Sequence, residues 1–83
     1  MSFKKLYGLD IKSDGGWVSG GRSNCYEQFT RQIIFSKSIS FEDAEAVFKL
    51  MQDNGDCPGW VDRYLKVSNE NEVVFRSGCD SSD

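Results

Sequence analysis

The side chains that could do chemistry in this chain of 83 residues are thirteen carboxylates and three cysteines, and no histidine is present. The absence of histidine removes the commonest general base, the Ser-His and Cys-His nucleophile pairs and every histidine-containing zinc site. Cys25, Cys57 and Cys79 are widely separated and too few for a four-thiolate site. We therefore predict a protein that is not an enzyme and that holds no metal and no cofactor.

The cysteines also indicate a compartment, because an odd number of them cannot close a disulfide framework within one chain. The first residues carry charge, but Gly8 and Asp10 stand where a signal peptide would have its apolar segment. No uncharged apolar run is longer than three residues, as from Ile33 to Phe35, far below the roughly 20 needed to span a bilayer. The sequence predicts a cytoplasmic protein with no membrane contact.

A helix is the clearest element of the sequence. Ser40 followed by Asp43 resembles a capping box, and Ile39 before it can pack against Ala44. Asn54-Gly55 provides the stop signal. Acidic residues in the first turn suit the helix dipole, which gives Glu42, Asp43 and Glu45 a structural role instead of an acid-base one. The apolar stripe predicted for this helix comprises Phe41, Ala44, Val47, Phe48 and Met51.

The remaining segments alternate between apolar and polar residues with a period of two, which is typical of half-buried strands. Glycine and polar clusters separate them, and the first two segments are predicted to pair as a hairpin. Gly20 to Asn24 is predicted to be a bulge or an open loop. The predicted strands are 3–12, 17–19, 26–38, 60–67 and 72–76.

These elements predict an α+β fold of order β-β-β-α-β-β, with one helix packed on one face of an antiparallel sheet of four to five strands. Residues 1–78 form a single domain in this interpretation, and 79–83 form a frayed polar tail. One helix covers only one face of such a sheet. The face predicted to lack the helix carries Leu6, Tyr26, Ile34, Trp60, Tyr64 and Val74.

That uncovered face is the predicted functional surface. Tryptophan, tyrosine and arginine are the residue types that dominate protein-binding hot spots. Residues 1–41 carry a net charge of +3 (six basic, three acidic) and residues 42–83 one of −6 (four basic, ten acidic). Acidic groups near the aromatic residues would complement a basic partner, including a surface that otherwise holds nucleic acid. The predicted partner-binding residues are Tyr26, Asp56, Trp60, Asp62, Tyr64, Glu70, Glu72 and Arg76.

We therefore predict a non-enzymatic protein-binding module, an inhibitor or adaptor that masks a partner surface. Small acidic inhibitors such as phage anti-defence or anti-CRISPR proteins suit this description, on base rates alone. One alternative is a module that binds single-stranded nucleic acid through the aromatic sheet face and the basic N-terminal half, although the negative net charge disfavours it. The residues predicted for that binding are Tyr26, Trp60 and Tyr64 with Lys4, Lys66 and Arg76. A second alternative is a structural homo-oligomer, such as a homodimer, in which another copy covers the face.

Overall fold

The computed structural model describes residues 4–23 and 26–80. They form six strands and one helix, so the α+β class with a single helix on an antiparallel sheet is confirmed, although the chain adds one strand to the predicted order. The helix described here is not long and apolar enough to cross a membrane. The elements are β1 (Lys4–Leu6), β2 (Leu9–Asp14), β3 (Val18–Ser23), β4 (Tyr26–Phe35), α1 (Phe41–Asp53), β5 (Val61–Asn69) and β6 (Glu72–Asp80).

The sheet has the order β1-β2-β4-β6-β5, and β3 pairs with β4 beside it. Strand β6 occupies one edge of β4 over its whole length, so β2 and β3 lie one after the other along the opposite edge. The predicted hairpin between the first two segments is therefore wrong. Gly15 and Gly16 do not reverse the chain, because β2 before them and β3 after them both pair with β4. Of the two structures predicted from Gly20 onward, a bulge or an open loop, the structure shows a bulge between Ser19 and Gly21 within β3.

The predicted first strand is in fact the hairpin β1-β2. Tyr7 and Gly8 form its two-residue turn, with φ values of 50° and 89°. Positive φ at both positions is what the tight turns favoured in hairpins require. The turn places Leu6 opposite Leu9, and both pack against the core. Leu6 therefore lies on the helix-covered side, contrary to the prediction; Phe3 lies outside the described residues.

The predicted helix start and stop are confirmed. The Ser40 side chain accepts a hydrogen bond from the Asp43 amide at 3.1 Å, and Asn54 caps the carboxyl end before Gly55, whose φ is +74°. Phe41 is 55% exposed, so its predicted place in the buried stripe is wrong. As the first residue of α1, it lies at the mouth of a cleft between α1 and β5 instead of beneath the helix.

The core lies between α1 and the sheet face formed by odd-numbered residues of β4 and β6, as predicted. Phe48 of the helix and Phe75 of β6 pack with ring centroids 5.3 Å apart. Burying such side chains contributes about 1.5 to 3 kcal/mol each. The buried apolar residues are Ile11, Ile33, Phe35, Ile39, Ala44, Val47, Phe48, Met51, Val73 and Phe75.

Two features of the carboxyl-terminal hairpin depart from the prediction. A bulge between Val61 and Tyr64 pairs Val61 with Gly78, on the face opposite to Leu65 and Val67, whereas simple alternation had placed the three together. Strand β6 continues to Asp80, so Cys79 and Asp80 belong to the sheet and not to the predicted tail. The fully buried Ser77 hydroxyl donates to the Pro58 carbonyl. Residues 81–83 lie outside the described part.

Candidate functional site

Within the described residues, the sheet face opposite α1 carries no helix, and we call it the helix-free face. Its central row crosses four strands through the paired residues Val18, Thr30, Arg76 and Tyr64. Val18 is 54% and Tyr64 45% exposed, so this row is open to solvent. Further described members of the face are Tyr26, Ile34, Asp62, Lys66, Val74 and Gly78.

Arg76 and Tyr64 are fixed against each other on adjacent strands. The Arg76 guanidinium donates to the Tyr64 hydroxyl at 3.0 Å, and its central carbon lies 5.5 Å from the centroid of the Tyr64 ring. The pair combines a hydrogen bond with a cation–π contact, which holds two long side chains in one geometry. Both residue types are common binding hot spots, and here their positions are set before any partner arrives.

Tyr26 reaches Asp62 across Gly78. The Tyr26 hydroxyl donates to the Asp62 carboxylate at 2.8 Å. A Cβ atom at Gly78 would lie 2.7 Å from the Tyr26 hydroxyl oxygen, so glycine is what leaves room for the ring. Asp62 has a φ of 52° within the β5 bulge. The hydrogen bond to Asp62 is the main cause that raises the pKa of Tyr26, with smaller effects of desolvation and of the charge on Asp62.

Trp60 stands at the edge of this arrangement, immediately before β5. Its amide donates to the Gly78 carbonyl at 2.8 Å, while its side chain is 61% exposed. Gly59 before it has a φ of +76°, and a Cβ there would clash with the same carbonyl. Two glycines therefore bring the Trp60 backbone onto β6 and leave the indole uncovered.

The predicted acidic residues do not form one surface. Asp56 lies beyond the carboxyl end of α1, where its carboxylate accepts from the Tyr7 hydroxyl. Glu70 and Glu72 lie at the β5-β6 turn. The Glu70 carbonyl accepts from the Ile39 amide at 2.7 Å, and the Glu72 carboxylate accepts from Asn69 and Gln32. Of the predicted set, the structure brings together Tyr26, Asp62, Tyr64 and Arg76. Trp60 joins them through its backbone contact with Gly78, and its side chain is exposed.

The sequence interpretation missed a second polar cluster, on the helix-covered side. Arg31 donates to Asp14 through Nε at 2.9 Å and through Nη2 in an ion pair, and both side chains are largely buried. The hydrogen bond to Asp14 is the main cause that raises the pKa of Arg31. One signal was available in the sequence, since Arg31 occupies a core-facing odd position between Phe29 and Ile33, where an unpaired charge would be costly.

Asp56 ties two aromatic residues to this cluster. Its carboxylate accepts from the Tyr7 hydroxyl, and its carbonyl accepts from the Trp17 indole. Burial, followed by the hydrogen bond to Asp56, raises the pKa of Tyr7 to about 12. These contacts join the loop after α1 to the β1-β2 turn and to the segment before β3. These hydrogen bonds stabilise the fold, and they leave Tyr7, Trp17 and Asp56 engaged within the protein.

No group of three cysteine, aspartate or glutamate side chains in the described ranges is arranged to hold a metal ion. Cys57 and Cys79 are both free thiols, and Cys25 lies outside the described residues. Comparison of the chain with protein-family models, with curated proteins and with solved structures found no match.

Proposed function

We propose that the protein is a non-enzymatic protein-binding module, an inhibitor or adaptor that masks a partner surface with its helix-free face. The observation that carries this proposal is the arrangement of Tyr64 with Arg76 and of Tyr26 with Asp62 on one open face. A surface whose large side chains are already held in place loses less conformational entropy on binding.

The charges around Tyr26 favour a protein partner with basic groups. Asp80 pairs with Tyr26 across the sheet, and its charge, like that of Asp62, raises the pKa of Tyr26. Negative potential therefore surrounds one end of the face, while Arg76 and Lys66 lie farther along it. Such a surface complements a basic patch, including one that otherwise binds nucleic acid. The same carboxylates disfavour direct binding of phosphates.

The free thiols of Cys57 and Cys79 fit a reducing compartment, so we include a cytoplasmic location in the proposal. A homodimer formed through the helix-free face is the competing use of the same residues. Light scattering on the purified protein tests this alternative, because a monomer at high concentration would rule out the homodimer.

The test is capture from an extract of the native host with tagged wild-type protein and three variants, followed by mass spectrometry. Tyr64→Ala and Arg76→Ala should each remove the captured protein, because they delete one half of a fixed pair. Leu50→Ala is the matched control, since Leu50 is a 41% exposed side chain on α1. Circular dichroism checks that each variant is folded. Equal capture by wild type and both folded face variants would refute the proposal.

A further inference from the structure

A second surface lies along β5, at one edge of the sheet. This strand of nine residues pairs only with β6 in the part of the chain that the structure describes. Every second amide and carbonyl of its outer edge therefore points away from the sheet. Such an edge can accept one more strand, and several peptide-binding domains recognise extended segments in this way.

A cleft of about 350 Å³ runs beside this edge, between α1 and β5. Its apolar and aromatic lining comes from Phe41, Phe48, Leu65 and Tyr64, and its charged lining from Glu45, Lys49 and Arg63. Phe41 is 55% exposed, so it offers apolar surface to a partner at this cleft. A strand added to β5 would direct alternate side chains into this cleft, beside Leu65.

The edge is basic in a chain whose net charge is −3. Among the described side chains, no carboxylate lies at ion-pair distance from Lys49, Arg63 or Lys66. The Arg63 guanidinium donates to two neutral oxygens instead, Oε1 of Gln52 at 3.1 Å and the Gly59 carbonyl. These cations are complementary to carboxylates.

A second copy of this chain is a poorer occupant than an acidic segment. It would bring its own Arg63 and Lys66 to the same edge, and like charges on facing strands are destabilising. Its Asp62 lies in the bulge and already accepts from Tyr26.

We propose that β5 and the α1-β5 cleft bind an extended peptide segment in which apolar and acidic residues alternate. The apolar side chains enter the cleft beside Phe41 and Leu65. The acidic ones lie on the other side of the added strand, next to Lys66, which faces away from α1. This inference goes beyond the proposed function, because it holds whether or not the helix-free face binds a partner.

The test uses a fluorescein-labelled synthetic peptide of about ten residues that alternates glutamate with valine and phenylalanine, a length matched to a strand of this size. Fluorescence anisotropy should show saturable binding to the full chain. A peptide with lysine in place of glutamate should bind at least about tenfold more weakly, and so should one with N-methylated amides at alternate positions. The first control removes the charge match and the second removes the strand pairing.

Variants of the protein locate the binding. Phe41→Ala and Lys66→Glu should each weaken binding of the glutamate peptide at least about tenfold. Leu50→Ala, also an exposed apolar side chain of α1, should leave it unchanged. Arg76→Ala should also leave it unchanged while removing capture by the helix-free face, so failure of the two proposals is distinguishable.

Three results would overturn the inference. They are no saturable binding of the glutamate peptide, equal binding of the lysine peptide, and binding that survives both Phe41→Ala and Lys66→Glu. Light scattering adds a fourth, because a dimer that Lys66→Glu disrupts would assign this edge to a second copy instead.

Discussion

The two faces of the sheet are built from the same strands and differ in what covers them. On the side of α1, Ile33, Val73 and Phe75 have no exposed surface. On the other side, Tyr64 is 45% exposed although it is one residue from Leu65, which packs against the core. Alternation along each strand thus separates residues that stabilise the fold from residues that are free to contact a partner.

The contacts within each face differ in kind as well. The covered face is held by apolar burial and by an ion pair between largely buried Arg31 and Asp14. The helix-free face is held by exposed hydrogen bonds, such as that between Tyr26 and Asp62. Exposed polar contacts contribute at most about 1 kcal/mol each. Substitutions should therefore have large effects on stability on one face and small ones on the other.

The largest effect is expected for Phe75→Ala. This side chain is fully buried and packs against Phe48, so its removal leaves a cavity under the helix. We expect a loss of about 3 to 5 kcal/mol in the free energy of unfolding. Urea denaturation measures it, and a loss below about 1 kcal/mol would show that the core is elsewhere.

A smaller effect is expected for Gly78→Ala on the helix-free face. The added methyl group would lie 2.7 Å from the Tyr26 hydroxyl oxygen and 2.9 Å from a ring carbon, so the Tyr26 ring must move away from Asp62. We expect a loss of about 1 to 3 kcal/mol by overpacking. Tyr26→Ala combined with Gly78→Ala is the control, because the methyl group then meets no ring. A double variant no more stable than Gly78→Ala alone would contradict this explanation.

Tyr7, on the helix-covered side, should make the stability of the fold depend on pH. Its pKa is about 12 in the fold against 10.0 for an unperturbed tyrosine. As pH rises, the Tyr7 hydroxyl therefore loses its proton in the unfolded chain before it does so in the folded protein. The stability that the protonated Tyr7 contributes is fully present below pH 10 and is lost as pH rises toward 12. Between pH about 9 and about 11, the free energy of unfolding measured by urea denaturation should decrease less for Tyr7→Phe than for wild type. An identical decrease would assign the effect to other groups.

The smallest effect on stability is expected for Tyr64→Ala. Its side chain is nearly half exposed, and its contacts with Arg76 lie at the surface. We expect a loss below about 1 kcal/mol by urea denaturation, together with the loss of partner capture. A loss as large as that of Phe75→Ala would place Tyr64 in the core and remove the contrast between the faces.

Local patterns in the sequence were sufficient for the helix and the core face. Ser40, Asp43 and Asn54 act within one or two turns of α1, and alternation in β4 and β6 is uninterrupted, so Ile33 and Phe75 were placed correctly. Tyr64 and Arg76 were placed on one face for the same reason. These predictions depend on neighbours a few residues away.

The errors arose where one residue changes the register. The bulge at Asp62 reversed the face of Val61, and the turn at Tyr7 and Gly8 reversed that of Leu6. A tyrosine with positive φ is uncommon, so this turn is difficult to predict from the sequence. The acidic residues were grouped by position in the chain, whereas the β5-β6 turn carries Glu70 far from Asp56. The Arg31-Asp14 pair depends on the pairing of β2 with β4.

The most direct test of the central claim is hydroxyl-radical footprinting of the protein with its captured partner. We predict that oxidation of Tyr26, Tyr64 and Trp60 falls at least about threefold in the complex, because a hot-spot contact excludes water from these side chains. Oxidation of Leu50 on α1 and of Trp17 on the covered side should stay unchanged. Protection of Leu50 and Trp17 with Tyr26 and Tyr64 unprotected would contradict the assignment of function to the helix-free face.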